Sequence, residues 1–322
     1  MREIILAVLV AFVLSLVFCA AAIPLLRRAG SGQHILSYVK EHAGKEGTPT
    51  MGGLAFVAAA VFAALLFARG ADKPFCVALA VGLGYLAVGF LDDLLKLKRG
   101  KNLGLRPYQK IVFQFAVALM AALYCCMEGL TVLRVPYTRL SADIGWWMLP
   151  LGILVFLGTV NGVNLTDGLD GLAGGTSAVF FLALGALITL QGGSGTLVLL
   201  SCCLAGALAA YLVFNTGRAS LFMGDTGSLS LGGFAACVAL FSGNALVVPL
   251  AGLMFVLSSI SVILQVIYYK KTGKRIFLMA PLHHHFQHKG YSRGEDLVCL
   301  CGSHGCALRN AADPVCLSPV MG

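Results

Sequence analysis

Two amides and two carboxylates recur at every third position in one short polar stretch: Asn161, Asn164, Asp167 and Asp170. Residues three apart share a helix face, but each further step of three drifts by about 60° around the axis. Four such groups therefore cannot converge from one straight helix, and Gly168 and Gly171 indicate where the helix breaks. Because carboxylates beside a bilayer are costly unless they are functional, we interpret the stretch as a polar site at a membrane surface rather than as a plain turn.

A second group of acids stands at the ends of other apolar runs. Asp92 and Asp93 close one run, and Asp225 opens another. Adjacent carboxylates at a helix C-terminus oppose the macrodipole and repel each other, and Lys96 relieves only part of this. A divalent cation or a proton-accepting role would account for the rest, with a solvated charge cluster as the alternative. Asp225 alone could be an ordinary N-cap.

Several other side chains suit an anionic, nucleotide-like substrate. Thr48 and Thr50 flank a proline, which predicts a helix N-terminus with hydroxyl caps, and such an end favours phosphate. Lys110 begins an apolar run and is a candidate phosphate contact. The consecutive imidazoles His283–His285 have no cysteine or acid at zinc-ligand spacing, so a role beside phosphates fits them better. Phe222 could pack or stack on a base.

Taken together, these residue types predict phosphoryl transfer. Carboxylates suit Mg²⁺, whereas lysines, helix N-termini and histidines suit phosphate. The metal would neutralise a diphosphate while the cations hold its oxygens.

The elements that must position these groups are membrane-spanning helices. Of the 322 residues, 58% are hydrophobic and 11% are charged, against about 25% charged in soluble domains. The sequence predicts an all-α, polytopic membrane helix bundle with nine spans, near Ile4–Leu26, Met51–Ala68, Phe75–Leu91, Ile111–Met127, Gly145–Val160, Leu172–Leu190, Thr196–Phe214, Ser228–Phe241 and Ala245–Tyr269.

Charge placement predicts the orientation of the bundle. Alternating the connecting segments between two sides puts most of the 23 lysines and arginines on one side, which the positive-inside rule makes cytoplasmic. The N-terminus is then outside. The same cytoplasmic face receives all the acids named above.

Five motifs in order carry a resemblance to a known family: Gly47–Gly53, Asp92-Asp93, Asn164–Gly171, Phe222–Ser228 and Met279–Phe286. From about residue 1 to Arg293 the chain resembles the phospho-N-acetylmuramoyl-pentapeptide transferase family, within the polyprenyl-phosphate N-acetylhexosamine-1-phosphate transferase superfamily. The run Ala280-Pro281-Leu282 followed by three histidines and Phe286 resembles the muramoyl-pentapeptide branch rather than its GlcNAc-phosphate relatives.

The resemblance implies a reaction in the first membrane step of peptidoglycan synthesis. UDP-MurNAc-pentapeptide and undecaprenyl phosphate would give lipid I and UMP, with Mg²⁺, in the bacterial inner membrane. The active site would face the cytoplasm. The implied partners are these two substrates and the lipid bilayer. A homodimer is compatible with the resemblance, and no nucleic acid partner is expected.

The resemblance also implies roles for individual residues. Asp225 would be the metal ligand, and Asp92 or Asp93 would deprotonate or activate the lipid phosphate. Positions around the uridine end would be Lys96, Asn164, Asp167, Phe222 and Gln265, with Phe222 stacking on uracil. Further site positions would be Lys45, Thr50, Lys110, Asp170, Asn215, His283, His284 and His285.

Alternatives remain open at this point. A UDP-GlcNAc:undecaprenyl-phosphate GlcNAc-1-phosphate transferase would use the same chemistry. A transporter or flippase is the alternative of another class, but transporters place ionisable groups near the midplane, often in repeated halves. The sequence does not choose between direct attack by the lipid phosphate and an aspartyl-phosphate intermediate.

The C-terminus departs from the family pattern. The resemblance implies a tenth span after Arg293, yet residues 294–322 hold no long apolar run. We therefore expect a transmembrane transferase domain over 1–293 and an altered, poorly ordered cytoplasmic tail over 294–322.

Overall fold

Apolar helices make up most of the structure. It is a computed structural model that describes residues 2–30, 47–99, 104–136, 138, 140–217 and 219–289. Within these residues the helices are α1 (Arg2–Arg28), α2 (Gly53–Phe67), α3 (Lys73–Arg99), α4 (Pro107–Met127), α5 (Met148–Thr166), α6 (Leu172–Leu190), α7 (Gly195–Asn215), α8 (Gly224–Phe241), α9 (Val248–Ala251), α10 (Leu253–Thr272) and α11 (Leu282–Gln287). Two short strands, β1 (Val132–Arg134) and β2 (Ser141–Asp143), pair antiparallel. Short 3₁₀ turns precede α5 and α9.

The predicted membrane bundle is confirmed. Eight helices in the described part of the chain are long and apolar enough to cross a membrane. They correspond to eight of the nine predicted spans, and the remaining one, α2, is a shorter apolar helix of 15 residues. The chain is therefore a multi-pass membrane protein. The predicted tail, 294–322, lies outside the described residues.

The last predicted span differs from the structure at its beginning. The prediction ran unbroken from Ala245, but the structure has a 3₁₀ turn, the four-residue α9 and a break at Gly252 before α10 begins. Pro249 cannot donate a backbone hydrogen bond. A Cβ at Gly252 would crowd the Val248 carbonyl, so the chain turns tightly there.

Helix α8 is the centre of the bundle. It is buried along almost its whole length, whereas α1 and α10 expose most of their surface, as lipid-facing helices do. Small residues let α8 approach its neighbours closely, since Ser230 donates to the Gly82 carbonyl on α3 at 3.0 Å and Gly232 lies against the Val160 backbone on α5. Close backbone approach at small residues is the usual basis of helix packing in membranes.

The two ends of the bundle differ in chemistry. The β1–β2 hairpin closes one end, where the Arg134 amide donates to the Gly243 carbonyl at 2.9 Å and Gln191 pairs reciprocally with Asn244. At the other end, the C-termini of α3, α5 and α7 meet the N-termini of α4, α6 and α8. The acids and lysines predicted to act together lie at this second end.

Candidate active site

Three carboxylates from two helices meet at the polar end of the bundle. Asp92 and Asp93 come from the last turns of α3, and Asp225 comes from the first turn of α8. Their oxygens lie within 4.8 Å of one another, and both α3 acids are only 3% exposed. Like charges this close repel strongly in a poorly hydrated site, so the cluster requires cations. We call these three residues the carboxylate cluster.

Two lysines supply part of that positive charge. Lys96, one turn after Asp92 on α3, places its Nζ 2.7 Å from Asp92 and 2.6 Å from Asp225. Lys110, in the first turn of α4, places its Nζ 2.8 Å from the same Asp225 oxygen. Both ammonium groups are partly buried. They draw α3, α4 and α8 together at this point.

The other oxygen of Asp225 is held from α5. The Asn164 amide donates to Asp225 Oδ1 at 2.6 Å and to the Ser228 hydroxyl at 2.8 Å. Asp225 therefore receives donors from three helices, and both of its carboxylate oxygens are oriented. Asp225 is thus the carboxylate to which Lys96, Lys110 and Asn164 all donate.

Asp93 accepts hydrogen bonds from the N-terminus of the neighbouring helix α8. Its carboxylate accepts from the Thr226 amide at 2.9 Å, from the Thr226 hydroxyl at 2.7 Å and from the Asp225 amide at 3.3 Å. The first N–H groups of a helix have no partners within the helix, so an acid there is stabilising. Asp93 thus caps α8 from α3. Asp225 is not the N-cap that the sequence allowed, because Met223 occupies that position.

Asp92 ties the connection between α3 and α4 to the cluster. One carboxylate oxygen accepts from the Leu105 amide at 2.6 Å, while the other faces Lys96 and lies 4.0 Å from the Lys110 Nζ. The oxygen on the lysine side is the one turned toward the rest of the cluster.

The polar stretch between α5 and α6 breaks where its glycines predicted. Helix α5 ends at Thr166, and α6 begins after Gly171, which has a φ of 77° that glycine adopts without strain. The Gly171 amide donates to Asn215 at 2.9 Å, and the Asn215 amide donates to the Leu221 carbonyl at 3.0 Å. Asn215 thus joins this turn to the loop before α8. Asp170 receives the Ala219 amide from the same loop at 3.4 Å.

Asp167 lies in this turn, just beyond α5. Burial raises the pKa of Asp167 to about 8, and the negative charges of Asp225, Asp93 and Asp170 add to the increase. A carboxyl group with this pKa is largely protonated at neutral pH, so it can donate a hydrogen bond.

Residues 49–53 form a strap along the loop before α8. The Phe222 amide donates to the Pro49 carbonyl at 2.9 Å, and the Gly52 amide donates to the Phe222 carbonyl at 2.8 Å. Met51 has a φ of 76°, an uncommon conformation for a residue with a side chain. The strap brings the Thr50 hydroxyl beside Gly224 and leaves the Phe222 ring half-buried.

The predicted hydroxyl caps of α2 are wrong. Gly52 is the N-cap residue, and no side chain caps the helix. The Gly52 and Gly53 amides instead donate to the carbonyls of Phe222 and Met223 across the strap. Backbone pairing with another segment replaces the local cap.

Gln265 on α10 holds a loop. Its amide donates to the Phe277 carbonyl at 3.1 Å, and its oxygen accepts from the amides of Ile276 and Phe277 at 3.1 and 3.0 Å. The same side chain lines a cavity of about 1060 Å³ between α10 and the segment that leads to α11.

The three histidines of α11 separate into two environments. A Cβ on Gly168 would contact His283 Nε2 and His284 Nε2, so these two rings lie against the turn between Asp167 and Asp170. His285 faces away, where its Nδ1 accepts from the Leu278 amide at 3.2 Å and its ring packs on Phe277. Lys45, also predicted at the site, lies outside the described residues.

His283 makes stability depend on pH. Burial, with the neighbouring His284, lowers the pKa of His283 to about 3. Folding therefore favours the neutral ring, and this contribution is complete above the unfolded pKa of about 6.5 and is lost as the pH falls from there toward 3. We expect the free energy of unfolding to fall by about 1.4 kcal/mol per pH unit from this residue alone.

The measurement is thermal unfolding in detergent at pH 7.5 and 5.5. His283→Leu should lose less stability than the wild type over this interval. His288→Leu, at an exposed position, is the matched control and should keep the wild-type difference. Equal losses in all three proteins would contradict the assignment.

Three supporting residues were not predicted from the sequence. Thr226 and Ser228 hold Asp93 and Asn164, and the only signal for them was their place within the Phe222–Ser228 motif. Gln114, which accepts from Asn161 at 2.8 Å, was also missed. A lone amide one turn beyond Lys110 in an apolar run was the available signal.

The residues present fit a divalent cation. Three carboxylates with oxygens within 4.8 Å of one another form the hard oxygen set that Mg²⁺ prefers. The two lysines beside them offset only part of the negative charge. Asp225 would be the central ligand, because it faces both acids of α3.

Two protein-family models match parts of the chain that contain site residues. A family model described as glycosyl transferase family 4 matches residues 75–243, which is just over half of the chain. This range contains the whole carboxylate cluster, both lysines and Asn164. A second model, described as phospho-N-acetylmuramoyl-pentapeptide-transferase signature 1, matches residues 45–57 and contains the strap.

Curated relatives carry the same name as the signature. The phospho-N-acetylmuramoyl-pentapeptide-transferase of Caldanaerobacter subterraneus is 41% identical over 90% of this chain and 92% of its own length. Those of Halalkalibacterium halodurans and Shouchella clausii are 40% and 42% identical, covering 92% and 89% of this chain and 93% and 91% of their own lengths. Identity at this level along nearly the whole of both sequences is shared by members of one family, so this membrane-spanning chain belongs to the phospho-N-acetylmuramoyl-pentapeptide transferase family.

Proposed function

We propose that this protein transfers phospho-MurNAc-pentapeptide from UDP-MurNAc-pentapeptide to undecaprenyl phosphate, giving lipid I and UMP. The observation that carries the proposal is the convergence of Lys96, Lys110 and Asn164 on Asp225, at the end of a bundle of membrane-spanning helices. A reaction between a water-soluble nucleotide and a membrane-bound phosphate needs its charged groups at this kind of position. The names of the relatives support the choice of sugar nucleotide.

The reaction is a phosphoryl transfer that balances without an external reductant or oxidant. An oxygen of the lipid phosphate bonds to the phosphorus that carries the sugar. The bond from that phosphorus to the bridging oxygen breaks, and UMP leaves with the electron pair. A bound Mg²⁺ would neutralise the negative charge of the diphosphate.

Different side chains of the protein are proposed to bind the diphosphate, accept the proton and position Asp225. Lys96 and Lys110 are placed to hold diphosphate oxygens, since their ammonium groups are fixed within 3 Å of Asp225. Asp92 is the better candidate to accept a proton from the lipid phosphate, because both Asp93 oxygens accept hydrogen bonds from α8, whereas one Asp92 oxygen is turned toward the cluster. Asp93 positions Asp225 by capping α8.

The turn between α5 and α6 and the loop before α8 are proposed to hold the nucleotide. Asn164 donates to Asp225 of the cluster, and Asp170 and Asn215 join the turn to the loop. Asp167 lies in the turn, where burial and the charges of Asp225 and Asp93 raise its pKa. Phe222 and Gln265 would complete the uridine end, and Thr50, His283 and His284 would contact the rest of the substrate. The excess of cations at the ends on this side supports a site facing the cytoplasm, in the bacterial inner membrane.

The experiment is UMP release by the purified chain in detergent. With undecaprenyl phosphate and Mg²⁺, we expect UMP from UDP-MurNAc-pentapeptide, and a rate at least about 100-fold lower from UDP-GlcNAc. Chelation with EDTA should stop the reaction, and added Mg²⁺ should restore it. Faster turnover of UDP-GlcNAc would favour the GlcNAc-1-phosphate alternative. Ion-coupled transport without UMP would contradict an enzyme altogether.

A further inference from the structure

A hydrogen-bonded layer joins three helices beneath the carboxylate cluster. The Asn161 amide on α5 donates to Gln114 Oε1 on α4 at 2.8 Å, and the Tyr85 hydroxyl on α3 donates to the Gln114 backbone carbonyl at 3.0 Å. Gln114 and Tyr85 are fully buried. We call Tyr85, Gln114 and Asn161 the polar layer. The hydrogen bonds of the polar layer do not include Asp92, Asp93 or Asp225.

On α4 and α5, each residue of the polar layer lies about one helical turn from a residue of the site. Gln114 lies four residues after Lys110, and Asn161 lies three residues before Asn164. At a rise of 1.5 Å per residue, Gln114 lies about 6 Å and Asn161 about 4.5 Å deeper in the bundle than the site residue on its own helix, and on a neighbouring face. The hydrogen bond between Gln114 and Asn161 therefore joins α4 to α5 about one turn below Lys110 and Asn164, which both donate to Asp225.

The amide of Asn161 is fixed in one orientation. Its Nδ2 also donates to the Leu157 carbonyl, one turn earlier on α5, at 2.9 Å. Both N–H groups are thus directed, one along α5 and one toward α4. Further along the same pair of helices, Gly152 on α5 packs against Ala122 on α4, which is an apolar contact. Apolar contacts are not directional and tolerate sliding, whereas a hydrogen bond does not.

We propose that Gln114 and Asn161 are positioning residues, whose hydrogen bond sets the register of α4 against α5 so that Lys110 and Asn164 reach the two oxygens of Asp225 together. This inference rests on the proposed function, because its effect is on the transfer step. Lys110 and Asn164 donate to opposite oxygens, at 2.8 and 2.6 Å. A slide of α4 against α5 would displace Lys110 relative to Asp225 and leave the contact of Asn164 in place.

The test is a double-mutant cycle on UMP release. Gln114→Leu should lower kcat by about 10- to 100-fold and leave KM within about twofold, because displacement of a catalytic group by 1 Å has an effect of this size. In a Lys110→Met background the same change should lower kcat by no more than about twofold, since the positioned group is already gone. Thermal unfolding of each variant separates this loss from a loss of folded protein.

Three further variants complete the test. Asn161→Leu breaks the same bond from α5, so it should match Gln114→Leu, and the double variant should lose no more than either alone. If Gln114→Leu does not fold, Asn161→Leu in the two backgrounds answers the question. Thr159→Val is the matched control on α5, since this buried hydroxyl has no hydrogen-bond partner in the described part of the chain. Its kcat should stay within about twofold.

The outcomes separate the two claims. An active wild type whose kcat falls equally in both Lys110 backgrounds, or does not fall at all, overturns the positioning role and leaves the proposed function standing. A wild type that releases no UMP from UDP-MurNAc-pentapeptide overturns the proposed function, and the positioning role with it.

Discussion

Replacing Asp225 with asparagine is expected to abolish turnover while leaving the protein folded. Lys96, Lys110 and Asn164 all donate to this one carboxylate, and it lies opposite the two acids of α3. Asparagine keeps the size and one oxygen but removes the charge that would hold Mg²⁺ and align both lysines. We expect kcat for UMP release to fall by about 10³-fold or more.

The matched control is Asp143→Asn in the β1–β2 hairpin at the opposite end of the bundle. Asp143 is exposed and accepts hydrogen bonds through an oxygen that asparagine retains. Its kcat should remain within about twofold of the wild type. Near-normal turnover of Asp225→Asn in excess Mg²⁺ would rule out Asp225 as the metal ligand. Loss of the thermal transition would point to a structural role instead.

Gly89→Ala is expected to damage both stability and activity. A Cβ at this position on α3 would run into the carbonyl group of Asp225 and the Thr226 Cα on α8. These are backbone atoms at the start of a central helix, so they cannot give way as the end of a flexible side chain can. Overpacking of this kind costs about 1–3 kcal/mol. Because the substitution would displace Asp225, we expect kcat to fall by about 100-fold.

Gly84→Ala on the same helix provides the control for this substitution. A Cβ there would lie 3.6 Å from the Val117 side chain, an ordinary contact. Alanine also favours a helix over glycine by up to about 1 kcal/mol. Stability should therefore be equal to or slightly above that of the wild type, with kcat unchanged. If the two alanine variants unfold at the same temperature and turn over at the same rate, close approach at Gly89 is not what places Asp225.

The identity of the chemical groups could be predicted from the sequence. Asp92, Asp93 and Asp225 stand at the polar ends of apolar runs, and charge placement alone put them on one face of a membrane bundle. Gly168 and Gly171 marked the break between α5 and α6 correctly, since backbone freedom at glycine is a local property. Most span boundaries follow from hydropathy for the same reason.

Partnerships between helices could not be predicted in this way. Asp93 caps α8, Asn215 and Gln265 hold backbone loops, and Asn161 points to α4 although its neighbour Asn164 points to Asp225. Each outcome depends on how far a helix is rotated about its axis and how closely another can approach it.

Composition and residue spacing specify a membrane bundle with acids, lysines and amides at one end, because both are local properties of the chain. Which of those groups meet depends on how the helices pack. Contacts at residues such as Gly89 and Gly232 fix the separation and rotation of α3, α5 and α8, and these are joint properties of two helices that neither sequence segment contains alone.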